Sequence, residues 1–573
     1  MTTNDAGRMS RWVETAEAIR ATRATSKKSA IVADYLRTLD DDDLATAAVF
    51  LSGRPFPERD QRVAGLGWRA ITTVVQQVAD ADDGAMGRAY DRSSDVGTAV
   101  GELLAEAGHT PSGDPLRLTD VSAAYDHLAS TRGRDAKAAL FAGLLRRADP
   151  LSARYITALL GGELRIGLRG GHLEKAIARA FEQDLASVQW AGMLTGDIGR
   201  TARLARQGAL ETARLSLFHP LKSMLASPVA DEAEALGRLS PPVWVEDKYD
   251  GIRAQLHREG DEVRLFSRDL NDITAGFPEV VEAARSVSWE GILDGEILAW
   301  KDGRVLPFLQ LQTRIGRKRP SAEVLAQVPV IYVAFDVLAL GQGSPPQPLL
   351  REPLRERRRR LEALDLPGTP GFGLAALVDV HDEGELGRVF SEAQARGNEG
   401  LMLKDPESIY APGRRGYAWL KLKKALTTLD CVVVGVEVGH GRRHGVLSDY
   451  TFAVIDDRPG APGGSLVTVG KAYSGLTDAE IAEMTRWFEA HTIERHGRYR
   501  TVEPTVVVEI AFDVVHASSR HKSGYALRFP RIVRIRDDKP AAEADRLSTV
   551  AALHERLGVA GRSAVLTDGT MGS

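Results

Sequence analysis

The sequence predicts a multidomain fold in which an all-α domain is followed by an α+β domain and then by a small β-barrel. The chain has 573 residues, and at roughly 150 residues per domain this length corresponds to about three or four domains. The texture changes after His219-Pro220 and again at Thr427, from helical spacing to short β-rich runs and then to glycine-separated strands. We therefore expect domains at residues 1–216, 217–425 and 426–545, and a C-terminal tail at residues 546–573.

Composition excludes several classes of protein. Apolar residues make up 43% and charged residues 27% of the chain, which is typical of a globular protein and excludes wholesale disorder. Cys431 is the only cysteine, so a disulfide framework and a four-cysteine zinc module are excluded. No stretch approaches the roughly 18 apolar residues that span a bilayer, and no signal-peptide pattern is present, so we expect a cytoplasmic protein with no membrane partner. The net charge is only −4, so any nucleic-acid binding must use local basic surfaces.

The first domain is predicted to be helical because its apolar residues recur at helical spacing. Residues 43–51 and 139–145 are apolar enough to form core helices. Gly, Pro and Asp residues near 53–55 and 149–150 separate the helices. The acidic run 40–43 is interpreted as a helix start, because acidic side chains are favourable at a helix N-terminus.

The second domain is predicted from short β-rich runs that alternate with turns. These runs are residues 243–245, 263–266, 291–293 and 330–335. An exposed loop is expected at 341–346. The charged run 355–361 that follows is interpreted as the solvated face of a helix.

The third domain is predicted to be a small β-barrel with little helix. Strands are expected at 431–436, 450–455 and 506–510, separated by glycine turns. Beyond Pro540 the sequence predicts an alanine-rich helix and a tail, and the last dozen residues are expected to be disordered.

The segment Glu246–Arg253, which reads EDKYDGIR, supplies the first candidate catalytic residue. Lys248 follows an apolar β-rich run, and Gly251 allows a ligand to approach closely. Alone, the pattern Lys-x-Asp-Gly is expected by chance in roughly one of fourteen chains of this length, and it is then most simply a surface turn. An ordered series of further segments behind it changes this interpretation: 267–269, 293–296, 334–337, 398–404 and 419–424.

Together these segments, completed by 527–539 in the barrel, resemble the six nucleotidyltransferase motifs of ATP-dependent DNA ligases. Residues 160–168 resemble a signature of the helical DNA-binding domain of the larger cellular ligases, and 219–226 resemble their entry to the adenylation domain. The resemblance spans residues from about 120 to 540. It implies an all-α DNA-binding domain, an α+β nucleotidyltransferase domain of ATP-grasp-like adenylation type, and an OB-fold barrel.

The activity that the resemblance implies explains the choice of lysine. Lys248 would take AMP from ATP, AMP would pass to the 5′-phosphate of a nick, and the 3′-hydroxyl would then attack and release AMP. A lysine with a pKa of roughly 10.4 is almost wholly protonated at neutral pH, so burial and neighbouring cations must lower its pKa. Arg253, Lys421 and Lys423 are the expected cations, and the two lysines alternate on a strand and therefore face the same side.

The resemblance also implies roles for the other site residues. Phe335 would stack on adenine, Glu246 would lie near the adenine amino group, Glu296 near the ribose, and Arg268 would act on the nick phosphate. The expected cofactor-binding residues are Glu246, Arg253, Arg268, Glu296, Phe335, Arg414, Lys421 and Lys423; the metal ligands are Glu296 and Glu399; and the DNA or pyrophosphate contacts are Arg165, Arg528 and Arg531.

The resemblance further implies cofactors and partners. ATP with Mg²⁺, or Mn²⁺ in its place, would be the cofactors, and nicked duplex DNA the partner of a monomer. An RNA ligase and an mRNA-capping guanylyltransferase remain alternatives within the superfamily, although residues 162–168 argue against both. An NAD-dependent ligase is disfavoured because that group carries a cysteine zinc module, whereas this chain has a single cysteine. A catalytically silent nucleic-acid-binding scaffold is the alternative from another class, disfavoured because every motif position is filled.

Overall fold

The computed structural model describes residues 3–317, 319–341, 346–423, 427–440 and 443–559. Most of the loop predicted at 341–346, the boundary predicted at 425/426 and the tail beyond residue 559 lie outside these residues. The described part of the chain includes no helix with the length and apolar character needed to cross a membrane.

A helical domain occupies residues up to 216. Aspartate N-caps begin several of its helices: Asp40 accepts a hydrogen bond from the backbone N–H of Asp43, as predicted for the acidic run, and Asp149 accepts from Ser152. Its helices are α1 (Thr3–Ala6), α2 (Met9–Ala21), α3 (Thr25–Arg37), α4 (Asp41–Leu51), α5 (Trp68–Ala79), α6 (Ala85–Ser93), α7 (Val96–Glu106), α8 (Leu118–Ser130), α9 (Arg134–Arg147), α10 (Pro150–Gly161), α11 (Gly170–Ala180), α12 (Leu185–Thr195) and α13 (Ile198–Gln207).

The middle domain, residues 217–423, contains two sheets. Its helices are α14 (Glu232–Arg238), α15 (Pro278–Arg285), α16 (Phe308–Gln312), α17 (Ala322–Gln327), α18 (Leu354–Glu362) and α19 (Glu383–Ala395). Its strands are β1 (Leu225–Val229), β2 (Val243–Lys248), β3 (Ile252–Glu259), β4 (Glu262–Ser267), β5 (Gly291–Lys301), β6 (Arg304–Val305), β7 (Val330–Leu340), β8 (Gln347–Pro348), β9 (Phe372–Leu374), β10 (Leu377–Val380), β11 (Gly400–Lys404) and β12 (Arg415–Lys423). One sheet has the order β1-β12-β11-β2-β10, and the other is built on β4-β3-β5-β7-β8.

The helical and middle domains share one hydrophobic core. Leu217, Leu221 and Met224, from the segment that enters the middle domain, belong to the same buried cluster as the helical domain. Tyr410 and Trp419 of the middle domain belong to it as well. The division expected at 216/217 therefore crosses continuous packing.

His257 is a buried group at this junction and carries a pH-dependent prediction. Its Nδ1 accepts a hydrogen bond from the backbone N–H of Phe218 at 3.1 Å, and burial lowers the pKa of His257 to about 3. Below pH 6.5 the imidazole of His257 binds a proton in the unfolded chain but stays neutral in the folded chain, so the free energy of unfolding falls as pH falls. We expect His257 to lower the free energy of unfolding by about 2 kcal/mol between pH 7 and pH 5.

Urea unfolding at pH 7 and at pH 5 measures this loss. His257→Gln, which does not titrate, should lose less stability than the natural protein over that interval. His496→Gln is the matched control because His496 is exposed, and it should retain the full loss. Equal losses in all three proteins would contradict the prediction.

The charged run at 355–361 does form a helix, α18, but the prediction that it is a solvated face is wrong for two of its arginines. Leu354, Arg357, Arg358 and Leu361 are all buried and lie at the i, i+3, i+4, i+7 positions of one helical face. Arg357 donates to both carboxylate oxygens of Asp336, at 2.8 and 2.9 Å. The helix packs on β7, so the ion pair compensates charge that packing removes from water.

A strand-rich domain occupies the described residues from 427 to 559. Its strands are β13 (Thr427–Val438), β14 (Leu447–Ile455), β15 (Leu466–Ala472), β16 (Thr492–His496), β17 (Tyr499–Val502), β18 (Val507–Phe512), β19 (Val515–Ala517), β20 (Tyr525–Leu527) and β21 (Arg531–Ile535). The first five and β18 and β21 form one sheet around β13. The three predicted strands lie within β13, β14 and, apart from residue 506, β18.

One helix of this domain was not expected, whereas a second is the helix predicted beyond Pro540 and lies within the residues assigned to the tail. The helix α20 (Asp478–Ala490) begins at a capping box in which Thr477 and Glu480 bond each other's backbone N–H groups. The helix α21 (Leu547–Val559) places Leu547, Val550 and Leu553 in the core of the strand-rich domain. The expected tail from residue 546 therefore begins with a helix that completes this core.

Candidate active site

Lys248 lies where the chain crosses from one sheet of the middle domain to the other. It is the last residue of β2, and β3 begins at Ile252. A Cβ at Gly251 would lie 2.5 Å from the carbonyl oxygen of Ile297 and 2.7 Å from Cγ of Glu296. Because contacts this short are excluded, only glycine lets the turn pack against β5. The turn therefore brings Lys248 towards Glu296.

Glu399 joins two lysines of neighbouring strands. Its Oε2 lies 2.5 Å from Nζ of Lys248 and 2.7 Å from Nζ of Lys423. The register explains this contact, because Gly400 of β11 pairs with Lys248 on one side and with Lys423 on the other. Gly400 has a φ of +147°, and a Cβ there would lie 2.1 Å from the carbonyl oxygen of Leu422. Glycine is therefore required immediately after the carboxylate.

Burial and neighbouring charges shift the pKa values of three carboxyl groups. Burial raises the pKa of Glu296 to about 8, although the charge of Lys248 opposes the shift. Burial, and then the charge of Glu399, raise the pKa of Asp250 to about 6. Burial also disfavours ionised Glu399, but Lys248 and Lys423 outweigh it and lower the pKa of Glu399. A carboxyl group that holds a proton at neutral pH thus lies near one that stays ionised.

A cavity opens beside Lys248 and is lined from both sheets. The predicted site residues that line it are Glu246, Lys248, Arg253, Arg268, Glu296, Phe335 and Lys421. Burial, and then the charges of Lys423 and Lys248, lower the pKa of Lys421. The motifs singled out in the sequence therefore converge on one cavity, which Glu399 and Lys423 adjoin through their ion pairs.

The structure does not place Arg414 in this cavity. Its exposed guanidinium donates to the side-chain oxygen of Gln189 in the helical domain. Arg415 lines the cavity instead, together with Trp419 and Lys421 at alternate positions of β12. Because successive side chains of a strand face opposite sides, a shift of one residue selects the wrong arginine.

The sequence analysis missed Lys404, a buried lysine that lines the cavity. Nζ of Lys404 lies 2.5 Å from Oε2 of Glu246, and 4.8 and 4.5 Å from the ring centroids of Phe335 and Trp419. Lys404 is two residues after Met402 on β11, and both line the cavity. That period-two spacing is the signal that could have identified it.

The sequence analysis also missed the residues that hold the side chain of Arg253 in place. Its Nη2 donates to Asp294 at 2.7 Å, and its Nη1 donates to the carbonyl oxygen of Met224 at 2.8 Å. The hydroxyl of Tyr410 donates to the same carboxylate at 2.6 Å. Tyr410 and Asp294 are fully buried, so Arg253 reaches the cavity with its orientation set by three other segments of the middle domain.

The described residues contain no group of three or more His, Cys, Asp or Glu side chains able to hold a metal by themselves. The pKa of Glu399 is lowered, and its charge is one of the causes that raise the pKa of Glu296, so the two carboxyl groups lie close together. Magnesium commonly uses only one or two carboxylates and completes its shell with water and substrate phosphates. The donors present fit such an ion and do not fit an all-protein cage.

The predicted DNA or pyrophosphate contacts lie in three different settings. Arg165 pairs with Asp95 at 3.0 Å and with Glu163 at 3.1 Å, so carboxylates already hold its guanidinium. Arg531 is exposed on β21. Arg528 lies near the turn that follows Lys248, because its charge lowers the pKa of Asp250 against the effect of burial.

Residues 517–539 form a basic stripe around Arg528, with seven Lys or Arg and two Asp side chains and a formal charge of +5. Ion pairs neutralise part of this charge. Arg534 pairs with Glu509 at 2.8 Å, whereas Arg536 and Lys539 both pair with Asp430, at 2.8 and 2.7 Å. The local charge of +5 counted along residues 517–539 therefore overstates the charge that is free to meet an anion.

Comparisons with family models match all three parts of the chain. The model "ATP dependent DNA ligase domain" matches residues 223–423. The model "DNA ligase N terminus" matches residues 8–178, and "ATP dependent DNA ligase C terminal region" matches residues 443–539.

Similar proteins carry matching descriptions. A "Probable DNA ligase" of Koribacter versatilis is 46% identical over 93% of this chain and 94% of that protein. A "Probable DNA ligase" of Opitutus terrae is 43% identical over 97% of this chain, which spans 63% of that relative's length. A "DNA ligase" of Archaeoglobus fulgidus is 34% identical over 95% of this chain and 98% of its own. The solved structure "Pmar-Lig_PreS3" is similar in fold, with a TM-score of 0.56 at 16% identity, over 92% of this chain and 99% of its own.

Proposed function

Because this chain belongs to the ATP-dependent DNA ligase family, we propose that it seals nicks in duplex DNA through a lysyl-AMP and then a DNA-adenylate intermediate. The observation that carries the proposal is the position of Lys248, which lines a cavity shared with Glu296, Phe335 and Lys421. An amine among phosphate-binding cations suits attack on a nucleotide. We further propose that the enzyme acts in the cytoplasm as a monomer.

The proposal assigns one task to each domain. Residues 1–216 bind DNA, residues 217–425 carry the ATP-grasp-like adenylation chemistry, and residues 426–545 form an OB-fold. The helix α21 belongs with this last domain because its apolar face completes the core. Shared packing between the first two domains supports a DNA-binding surface held against the catalytic cavity.

In the first step, Nζ of Lys248 attacks the α-phosphorus of ATP. The new bond is N–P, the bond from that phosphorus to the bridging oxygen breaks, and pyrophosphate leaves while the attacking nitrogen loses a proton. Lys421 and Lys423 lie where they can neutralise charge that spreads over the phosphate oxygens. Lys421 is the better buried of the two.

The adenosine is held on the side of the cavity formed by Phe335. Phe335 offers its ring to adenine, and Glu246 reaches the amino group from its ion pair with Lys404. Arg253, fixed by Asp294, and Glu296 face the ribose and the α-phosphate. When adenosine is held in this way, the α-phosphorus of ATP faces Lys248.

Mg²⁺, or Mn²⁺ in its place, would be held by Glu399 and Glu296 together with the phosphates. When bound, the ion neutralises phosphate charge and orients oxygens. Glu399 contacts both Lys248 and Lys423, so this carboxylate also keeps the two cations from repelling each other.

In the second and third steps the substrate is a nick. A 5′-phosphate oxygen attacks the AMP phosphorus and releases Lys248; the 3′-hydroxyl then attacks the 5′-phosphorus and releases AMP. Arg268 at the cavity mouth, Arg165 in the helical domain, and Arg528 and Arg531 in the strand-rich domain are the proposed contacts to DNA or pyrophosphate. Backbone contacts of this kind make sealing largely independent of sequence and sensitive to salt.

The test is to follow ATP labelled at the α-phosphate. Purified protein freed of AMP is mixed with Mg²⁺ and labelled ATP, and nicked duplex DNA is then added. We expect the label to join the protein and to leave it as the nick is sealed. If the label passes only to RNA ends, the proposed DNA substrate is wrong. If the protein is not labelled at all, the proposed enzymatic activity is wrong.

Replacing Glu296 by alanine should slow transfer of AMP to Lys248 by about a hundredfold, because a misplaced ribose and phosphate cost that much in rate. Single-turnover labelling of the protein measures the effect. Glu282→Ala is the matched control, since Glu282 is exposed on α15, and its rate should equal that of the natural protein. An unchanged rate in Glu296→Ala would remove this residue from the site.

A further inference from the structure

Resting on the function proposed above, we propose that Phe308 is a positioning residue for the first step. Its ring, on the middle domain, holds the guanidinium of Arg528 from the strand-rich domain beside the turn that follows Lys248 while AMP is transferred to this lysine. This role operates before DNA is present.

Arg528 lies between two aromatic rings from different domains. Its guanidinium carbon is 5.0 Å from the ring centroid of Phe308 and 4.8 Å from that of Phe529. Phe308 begins α16, whereas Arg528 follows β20. The arginine side chain is only 14% exposed although Phe529 next to it is 69% exposed. The middle domain therefore covers Arg528 and leaves its neighbour uncovered.

The backbone of Arg528 is fixed within its own domain. Its N–H donates to the carbonyl oxygen of Val514 at 2.9 Å, and its carbonyl oxygen accepts from the N–H of Asp513 at 3.0 Å. Phe529 has a φ of +48°, a left-handed conformation that turns the chain immediately after the arginine. The side chain of Arg528 therefore extends from a fixed backbone, and its guanidinium contacts the ring of Phe308.

The guanidinium remains available for an anion. The carboxylate of Asp513 lies 3.9 Å away, which is beyond hydrogen-bond distance. Stacking occupies the flat faces of a guanidinium and leaves its N–H edge free for phosphate oxygens. The positive charge of Arg528 acts on Asp250, two residues from Lys248. Within the part of the chain that the structure describes, no side-chain hydrogen bond occupies this N–H edge, which is therefore presented beside the site where pyrophosphate would form.

Removing the ring releases Arg528 from this arrangement. The cation–π contact that attracts the guanidinium to the ring is lost, and the cover that limits the arginine's rotamers is lost with it. We expect self-adenylation to slow by about tenfold when the ring is replaced by an aliphatic side chain. Pyrophosphate should also bind less tightly in the reverse reaction, because the same guanidinium would meet it.

The experiment compares Phe308→Leu with Phe308→Tyr in the full-length protein without DNA. The forward readout is single-turnover labelling by ATP labelled at the α-phosphate, and the reverse readout is the KM for pyrophosphate in discharging the labelled protein. Phe308→Leu should be about tenfold slower with a raised KM. Phe308→Tyr keeps the aromatic face and should restore most of the rate.

A matched control removes another arginine–aromatic contact between domains. Arg351 of the middle domain stacks on Trp190 of the helical domain at 4.1 Å, away from the catalytic cavity. Trp190→Leu should label at the rate of the natural protein. Similar slowing in Trp190→Leu would show that any loss of interdomain packing impairs the reaction, and would overturn the proposal.

A double-mutant cycle with Arg528→Gln decides whether Phe308 acts through Arg528. If it does, Phe308→Leu should slow the natural protein but add nothing in the Arg528→Gln background. Equal slowing in both backgrounds, or no slowing in either, would overturn the proposal. Absence of labelling in the natural protein would instead mean that the proposed function is wrong, so the two failures are distinguishable.

Discussion

Lys248→Ala is expected to abolish covalent attachment of AMP to the protein. Lys248 lines the cavity where the predicted motifs converge and lies 2.5 Å from Glu399. Alanine has no nucleophile, and neither water nor a neighbouring residue can replace an amine held on the α-phosphorus. Labelling by ATP should fall by at least about 10⁴-fold, the scale of loss when a covalent nucleophile is removed.

Two measurements separate chemistry from folding in this variant. Lys301→Ala, at the exposed end of β5, should label as the natural protein does. Lys248→Ala should also seal a nick that already carries AMP on its 5′-phosphate, because the last step does not use this amine. Retained labelling would assign the nucleophile to another lysine, and failure to seal the adenylated nick would show that the variant has lost its fold.

Asp336→Ala is expected to cause a large loss of stability. Asp336 and Arg357 are both fully buried, and Arg357 donates to both carboxylate oxygens. Its Nη1 also donates to the carbonyl oxygens of Glu352 and Ser408, so the guanidinium cannot easily leave. Removing the carboxylate leaves the charge of Arg357 in the interior without its anionic partner. We expect this to lower the free energy of unfolding by about 3–5 kcal/mol.

Urea unfolding monitored by circular dichroism measures the loss. The double variant Asp336→Leu with Arg357→Met removes both charges and should recover most of the stability. Glu392→Ala is the matched control, since its pair with Arg388 is exposed, and it should change stability by less than about 1 kcal/mol. A loss below about 1 kcal/mol in Asp336→Ala would contradict the prediction.

Ionic contacts of the same kind have different consequences according to burial. Arg357 and Arg388 both lie on helices and both pair with a carboxylate. Water screens the second pair and is absent from the first, so only the first makes the fold depend on both partners. Both arginines occur in charged helical segments, and in the sequence Arg357 is marked only by sharing a helical face with Leu354 and Leu361.

Much of the middle domain could be predicted from local patterns. Apolar runs at 243–245 and 330–335 lie within β2 and β7, as expected. Lys248 follows the first run and Phe335 ends the second, and both line one cavity. Period-two alternation also placed Lys421 on the cavity face of β12. Such residues are predictable because a strand fixes side-chain direction locally.

Other features depend on contacts between distant segments. Arg415 rather than Arg414 lines the cavity because of where β12 begins, and that start depends on its pairing with β1. Lys404 acquires a partner only when β11 pairs with β2 beside Glu246. The helix α21 joins the strand-rich domain because its apolar face finds a core there.

The sequence by itself determined the order of helical and strand-rich regions, the family, and the set of motif residues that converge on Lys248. It could do so because strand period, turn glycines and reactive side chains act over a few residues. Only the tertiary structure decided that Arg357 is buried, that Glu399 bridges two lysines, and that Arg528 rests on Phe308. Burial and charge pairing in these cases depend on residues far apart in the chain, and the free energy of a charge is set by what surrounds it.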